Sequence, residues 1–274
     1  MRYIGINVNT GKDVEGRLLK KIVEAIEDNC KDVEVKIYKD SIGLEKKETE
    51  NLEVVIVLGG DGTILKASKY LAKYNVPILG INIGNLGFLT ETESSNFIFS
   101  IRNYFKGKYY IEERNMVQCT TEYKGIKKEF HGLNDIVVTK GDVGKTAKYD
   151  LYIDGNFYTK LSSDGVIVST STGSTAYSLS AGGPIIYPTL DALCLTPICG
   201  HSLRIRSIVL NHKSIIKIIS QSENVILTVD GEEINFLENV KEFLITSSPY
   251  KCKLIKLEGE HRDYYSILRN KLYL

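Results

Sequence analysis

Apolar positions in the first ninety residues alternate between short strand-like runs and helical periodicities. Residues 3–7, 33–38, 54–58 and 76–83 form the runs, and 54–58 is continuous, as in a strand buried on both faces. Between them, Val14, Leu18, Ile22 and Ile26, with Leu19 and Val23, recur at helical spacing. So do Ile64, Leu65, Ser68, Leu71 and Ala72. Strand and helix in alternation predict a mostly parallel sheet, because parallel strands need crossover connections.

From about Met116 the pattern changes. Strands become rich in Thr and Tyr, alternate in polarity and are joined by tight turns. Residues 149–153 and 157–161 flank Asp154-Gly155, and 225–229 and 233–237 flank Asp230-Gly231, so both read as hairpins. Residues 208–210, 215–219 and 243–246 add strands. A last strand at 254–257 and a helix at 264–272 suggest a return to the first half. The expected fold class is α/β, with an N-terminal open, mostly parallel α/β domain plus a C-terminal antiparallel β-rich domain. The C-terminal helix returns to the first domain, giving domains at 1–105 plus 252–274 and at 106–251.

Composition narrows the function classes. Lys plus Arg number 35 and Asp plus Glu 34, a balance that argues against nucleic-acid or membrane-surface partners. No stretch reaches the roughly 18 apolar residues that span a bilayer, and the N-terminus enters a strand directly, so no leader peptide is expected. Five scattered cysteines without a Cys-x-x-Cys pair fit a reduced, cytoplasmic chain. Cys194, Cys199 and His201 lie near one another but lack a second ligand pair, so no metal-ligand set is expected.

Candidate chemistry concentrates after the third strand, at Gly59-Gly60-Asp61-Gly62-Thr63. Ligands bind beyond the carboxyl ends of strands in open α/β sheets. Glycines there let backbone approach an anion and adopt positive φ, and the following helix directs free N–H groups at the same place. A Walker A loop would need Lys after Gly62, where Thr63 stands; a dinucleotide fingerprint would need Gly where Leu65 stands. What remains is a phosphate cradle containing an acid. Asp61 either takes a proton from an attacking hydroxyl or holds a metal, or caps the helix through the N–H of Thr63 or Ile64. Two further polar groups lie downstream. Asn134-Asp135, at a strand entrance, either grips vicinal hydroxyls or forms an Asx turn. The run Ser169–Thr175 is either a solvated loop or a polar binding edge at a helix start.

The glycine turn resembles the signature shared by NAD kinases, diacylglycerol and sphingosine kinases and phosphofructokinases. The segment DGVIVSTSTGSTAYSLSAGGP at 164–184 is similar to the long Gly/Ser/Thr motif of NAD kinases almost residue for residue. Leu133-Asn134-Asp135, Thr228-Val229-Asp230-Gly231 and Leu268-Arg269-Asn270-Lys271-Leu272 resemble that family as well. The resemblance implies an enzyme moving the γ-phosphate of ATP, or of polyphosphate, to the 2′-hydroxyl of the adenosine ribose of NAD to give NADP. A divalent metal, Mg²⁺, would bridge the phosphates. It implies Asp61 as general base, with Gly59, Gly60, Gly62 and Thr63 around nucleotide phosphates and Asn134 and Asp135 on the ribose hydroxyls. Thr175, Ala176, Tyr177, Ser178, Leu179 and Ser180 would line the adenine and nicotinamide subsites, with Asp164 accepting from the nicotinamide side. Lys145 stands where the family tends to place an Arg reaching across a subunit boundary, and a homodimer or homotetramer is implied.

The chain departs from the family pattern in places. Asp135 replaces a usual Glu, Glu232 a Gln, Ser162 a basic residue and Gly200 a Pro. A lipid kinase would call for an amphipathic membrane face, of which the sequence gives no sign. A non-catalytic dinucleotide sensor would not need Asp61.

Overall fold

The structure, a computed structural model, describes residues 1–84, 87–141, 146–200, 206–222, 224–234, 240–259 and 264–272. The chain divides into two compact units, one of Met1–Glu113 with Cys252–Leu274 and the other of Arg114–Lys251.

The first unit begins with β1 (Arg2–Val8), α1 (Arg17–Asn29), β2 (Val33–Lys39), β3 (Val54–Gly59), α2 (Asp61–Leu71), β4 (Ile78–Asn82), β5 (Thr92–Glu93) and α3 (Phe97–Phe105). β1 pairs in parallel with β2 and β3, β3 with β4, and β4 with β5. This is the crossover-linked sheet that the strand–helix alternation predicts. Every residue of β3 is buried. Val54, Ile56 and Leu58 point into a core with Ile22 and Ile26 of α1 and Ile101 and Tyr104 of α3. The opposite face carries α2, whose Ile64 lies against Gly80 of β4. Val14 does not join α1. It is 81% exposed, because Gly16 takes a left-handed φ of 65° and the helix starts after it. Asp13 caps that start instead, accepting the N–H groups of Leu18 and Leu19 at 3.2 and 2.9 Å. Helix α3 has no counterpart among the sequence expectations.

The remaining strands are β6 (Tyr109–Tyr123), β7 (Ile126–Gly132), β8 (Asp135–Lys140), β9 (Ala147–Ile153), β10 (Asn156–Ser163), β11 (Gly165–Thr170), β12 (Ala192–Ile198), β13 (Ile208–Asn211), β14 (Ile216–Ser220), β15 (Val225–Val229), β16 (Glu232–Glu233) and β17 (Glu242–Leu257), with α4 (Tyr177–Ser180) between β11 and β12 and α5 (Tyr264–Leu272) last. The two strands expected at 243–246 and 254–257 are one long strand, β17. Its end pairs in parallel with β4 at Leu254 and Ile78, and Ile255 and Leu257 join the first core.

In the second unit, β13-β12-β11-β8-β15-β16 form one antiparallel sheet. Strands β10, β9, β14 and β17 pair antiparallel in another. Val138, Val166, Leu195 and Leu227 of the first meet Tyr149, Ile218 and Phe243 of the second in a shared core. Alternation sends Val137 and Ile167 to the other face of the six-stranded sheet, where Ala181 packs beside α4. Both expected hairpin turns carry left-handed pairs, with φ of 51° and 80° at Asp154-Gly155 and 48° and 79° at Asp230-Gly231. Residues 235–237 of the second hairpin lie outside the described residues.

Candidate active site

The first unit holds a cavity of about 500 Å³ at the carboxyl ends of its strands, lined by Asn9, Lys12, Asp40, Ser41, Gly60, Asp61, Gly62, Thr63, Lys66, Gly87 and Lys271. Asn7, at the end of β1, organises one wall. Its amide donates to Ser41 Oγ at 3.0 Å and accepts the Ser41 N–H at 2.8 Å, holding the loop after β2. Asp40 accepts the Thr10 N–H at 3.0 Å and the Thr10 hydroxyl. These bonds, with Lys66 nearby, hold its carboxyl below the usual range.

The glycine turn forms the floor. Contrary to expectation, none of Gly59, Gly60 and Gly62 has positive φ; at Gly59 and Gly60 the missing side chain leaves room for a neighbour. A Cβ on Gly59 would lie 2.2 Å from Thr63 Oγ1, which itself accepts from Asn9 Nδ2 at 3.2 Å. Thr63 and Ile64 donate to the Gly60 carbonyl at 2.9 and 3.2 Å. The N–H groups of Asp61 and Gly62 precede these bonds and have no helix carbonyl to serve. Asp61 does not cap α2. Its Oδ2 accepts the N–H of Phe88 at 2.8 Å and its Oδ1 that of Leu89 at 3.0 Å. The carboxylate is therefore fixed by the loop after β4, and each oxygen keeps a further lone-pair direction.

The second unit holds a cavity of about 410 Å³ on the outer face of its six-stranded sheet. It is lined by Asn134, Asp135, Val137, Thr139, Ala176, Tyr177, Thr228, Asp230 and Gly231. Asp230, which the sequence marks only as a turn residue, organises it. Its carboxylate accepts the N–H groups of Leu133, Asn134 and Asp135 at 2.7, 2.7 and 3.0 Å. The Ser/Thr run is tied to the same loop. Thr170 donates its N–H to Asn134 O at 2.8 Å and its hydroxyl to Leu133 O at 2.6 Å. A Cβ on Gly173 would fall 2.1 Å from Asn134 O, so only glycine fits there. The buried Arg114 donates to Thr172 Oγ1 at 3.3 Å from behind.

Two carboxyls share this cavity, Asp135 buried and Asp230 half-buried. Loss of water, and then the nearby charge of Asp230, raise Asp135 to about 7. Burial also raises Asp230, but its three N–H donors favour the ionised form. Both carboxyls are thus weaker acids than a free aspartate, Asp135 at about 7 and Asp230 at about 6.

The other expected site residues divide. Ala176 and Tyr177 face the cavity, whereas Ser178 is fully buried and bonded to Thr196 Oγ1 at 2.9 Å. Thr175 is half-buried and bonded to Thr172 O at 3.4 Å. Leu179 is half-buried and Ser180 exposed. Asp164 is ion-paired with Lys140 at 2.6 Å. Lys145 and His201 lie outside the described residues. All five cysteines are free. Lys12, Lys66 and Lys271, which line the first cavity, were missed because nothing in their local sequence distinguishes them from solvated lysines.

Two family models match the chain, the ATP-NAD kinase N-terminal domain over residues 4–109 and the ATP-NAD kinase C-terminal domain over residues 133–257. An NAD kinase of Clostridium botulinum (strain ATCC 19397 / Type A) is 50% identical over 276 residues, covering 99% of this chain and 96% of the relative. One of Clostridium kluyveri is 44% identical over 274 residues, with the same coverage. Among solved structures, an NAD kinase from Archaeoglobus fulgidus in complex with ATP is 28% identical at a TM-score of 0.79, covering 98% of this chain and 99% of that one. Yeast NADH kinase complexed with NADH shares the fold at a TM-score of 0.87 and 24% identity, covering 100% and 88% of the two chains.

Proposed function

Because the chain belongs to the NAD kinase family, we propose a role in phosphoryl transfer for each of its two cavities. The enzyme is a phosphotransferase with an alcohol acceptor, moving the γ-phosphate of ATP to the 2′-hydroxyl of the adenosine ribose of NAD to give NADP. In our reading the lysine-lined cavity takes the nucleotide phosphates against Gly59, Gly60, Gly62, Thr63 and the helix N-terminus. Asn134 and Asp135 hold the ribose, and Ala176 and Tyr177 flank the adenosine.

The observation that carries this reading is Asp61, a carboxylate fixed by two backbone amides inside a phosphate cradle. The 2′-oxygen attacks the γ-phosphorus, the bond from that phosphorus to the β,γ-bridging oxygen breaks, and the hydroxyl proton passes to Asp61. Positioning and charge neutralisation supply most of the acceleration. Asp135 offers a carboxyl and Asn134 both a donor and an acceptor to the ribose hydroxyls.

Among the described residues no group of three or more His, Cys, Asp or Glu side chains could hold a metal. A divalent cation, Mg²⁺ in this proposal, would enter with the nucleotide and supply neutralisation of its phosphate charge. A homodimer or homotetramer and a cytoplasmic location belong to the same proposal; the free cysteines support the location. Among the described residues no helix is long and apolar enough to cross a membrane. Incubation with ATP, Mg²⁺ and NAD tests the reading. NADP should accumulate, and its absence in a folded sample would refute the assignment.

A further inference from the structure

Gly60 is glycine for a reason that its backbone does not supply. Its φ of −112° and ψ of −169° suit any residue. The space beside its Cα is what a side chain would take. A Cβ there would meet Lys12 Nζ at 3.0 Å and Asn82 Oδ1 at 3.7 Å. Lys12 comes from the loop after β1 and donates one of its three N–H bonds to Ile83 O at 3.1 Å, across the end of the sheet. Asn82 is fully buried at the end of β4, with its amide donating to Gly84 O at 3.0 Å. Its Oδ1 is buried and has no hydrogen-bond partner among the described residues. A cationic donor and an unsatisfied buried acceptor thus face the same point, next to the residue that precedes Asp61.

We propose that Lys12 is a catalytic residue whose ammonium contacts the phosphoryl group as it leaves the nucleotide. The proposal rests on the NAD kinase reading and adds to it the protein's own cation. With phosphate bound, the three N–H bonds of Lys12 go to Ile83 O, Asn82 Oδ1 and an equatorial phosphoryl oxygen. The lysine keeps its proton throughout, and its fixed positive charge opposes the charge spread over those oxygens in the transition state. Lys66 and Lys271 line the same cavity and serve the rest of the phosphate chain. Lys12 differs in being held against the turn itself.

The test combines Lys12→Met, Lys12→Arg and Gly60→Ala. Lys12→Met should lower kcat with ATP by roughly 10²–10³, as removal of one preorganised donor does, while the protein melts near the wild-type temperature and NAD affinity by calorimetry stays within about threefold. Lys12→Arg should recover part of the loss. Gly60→Ala should displace the ammonium and lower kcat in the wild-type background, and lower it by a clearly smaller factor in the Lys12→Met background. Binding of inorganic tripolyphosphate, which needs no turnover, should weaken at least about tenfold in Lys12→Met, since a direct charge-assisted contact is lost. A kcat within threefold of wild type in Lys12→Met, or losses that multiply in the double variant, would overturn the assignment. So would tripolyphosphate binding unchanged by Lys12→Met, whatever the wild-type turnover. A wild-type protein that binds tripolyphosphate through Lys12 yet makes no NADP would count against the NAD kinase reading while supporting the phosphate contact.

Discussion

Gly87 lies so close against Asp61 that a Cβ built on it would stand 1.9 Å from Asp61 Oδ1. The carboxylate fills the space a side chain would need, and the next two amides bind it. Gly87→Ala should therefore displace either Asp61 or the loop. The expected outcome is a kcat lowered by at least about tenfold with both substrates still bound, since small misplacement of a reacting group is costly. Steady-state kinetics beside calorimetry of NAD binding checks this; an unchanged kcat would mean that Asp61 need not be held where the structure has it.

Asp61→Asn should lose both turnover and stability. Each carboxylate oxygen accepts one backbone N–H, and an asparagine presents an NH₂ to one of them. That leaves one amide unsatisfied, at about 1–3 kcal/mol. Loss of a positioned base should lower kcat by roughly 10²–10⁴. A variant that melts with the wild type would contradict the two-amide grip, and one that keeps turnover within a few-fold would contradict the base.

The raised pKa of Asp135 predicts a pH dependence of stability. Its folded-state value, about 7, lies above that of a free aspartate. The folded protein thus binds more protons than the unfolded chain between about pH 4 and 7. The stability that this carboxyl contributes is fully present below about pH 4 and is lost as the pH rises through 7. Asp135→Asn removes the titration. The melting temperature of the variant relative to wild type should therefore rise between pH 5 and pH 8, and a constant difference would show that Asp135 does not titrate there.

Asp230→Ala removes the shared acceptor of three backbone amides, those of Leu133, Asn134 and Asp135. Hydrogen bonds to a charged group contribute about 1.5–3 kcal/mol each, although water can reach part of the loop once the side chain is gone. A stability loss of at least about 3 kcal/mol in urea is expected. The KM for NAD should rise more than kcat falls, because the loop carries the ribose contacts and not the base. A variant with unchanged NAD affinity would separate Asp230 from substrate binding.

Much of this molecule was legible in one dimension. The runs at 33–38 and 54–58 and the two Asp-Gly hairpins are local patterns, set by side-chain period and by the few residues that accept left-handed φ. The glycine turn and the Ser/Thr motif were likewise visible as strings. The C-terminal part of β17 was seen as a separate strand because its long polar-alternating middle carries no sign that pairing continues. Helix α3 was missed because it is only nine residues long and exposes Ile98 and Phe99 beside its buried Ile101 and Tyr104. The reason for the glycines was also misread. Sequence suggested positive φ at 59, 60 and 62; the structure shows no positive φ at any of them, and at 59 and 60 side chains packed where a Cβ would go. Only folding brings Lys12 against Gly60, 48 residues apart in the chain, and Asp230 beneath Leu133, Asn134 and Asp135. Local pattern records which way a side chain points from its own strand or helix. It does not record which distant backbone amide or ammonium meets it, since that depends on sheet order and loop path. For that reason sequence named Asp61 as a group with a function, and tertiary structure decided that two amides, and not the helix end, hold it.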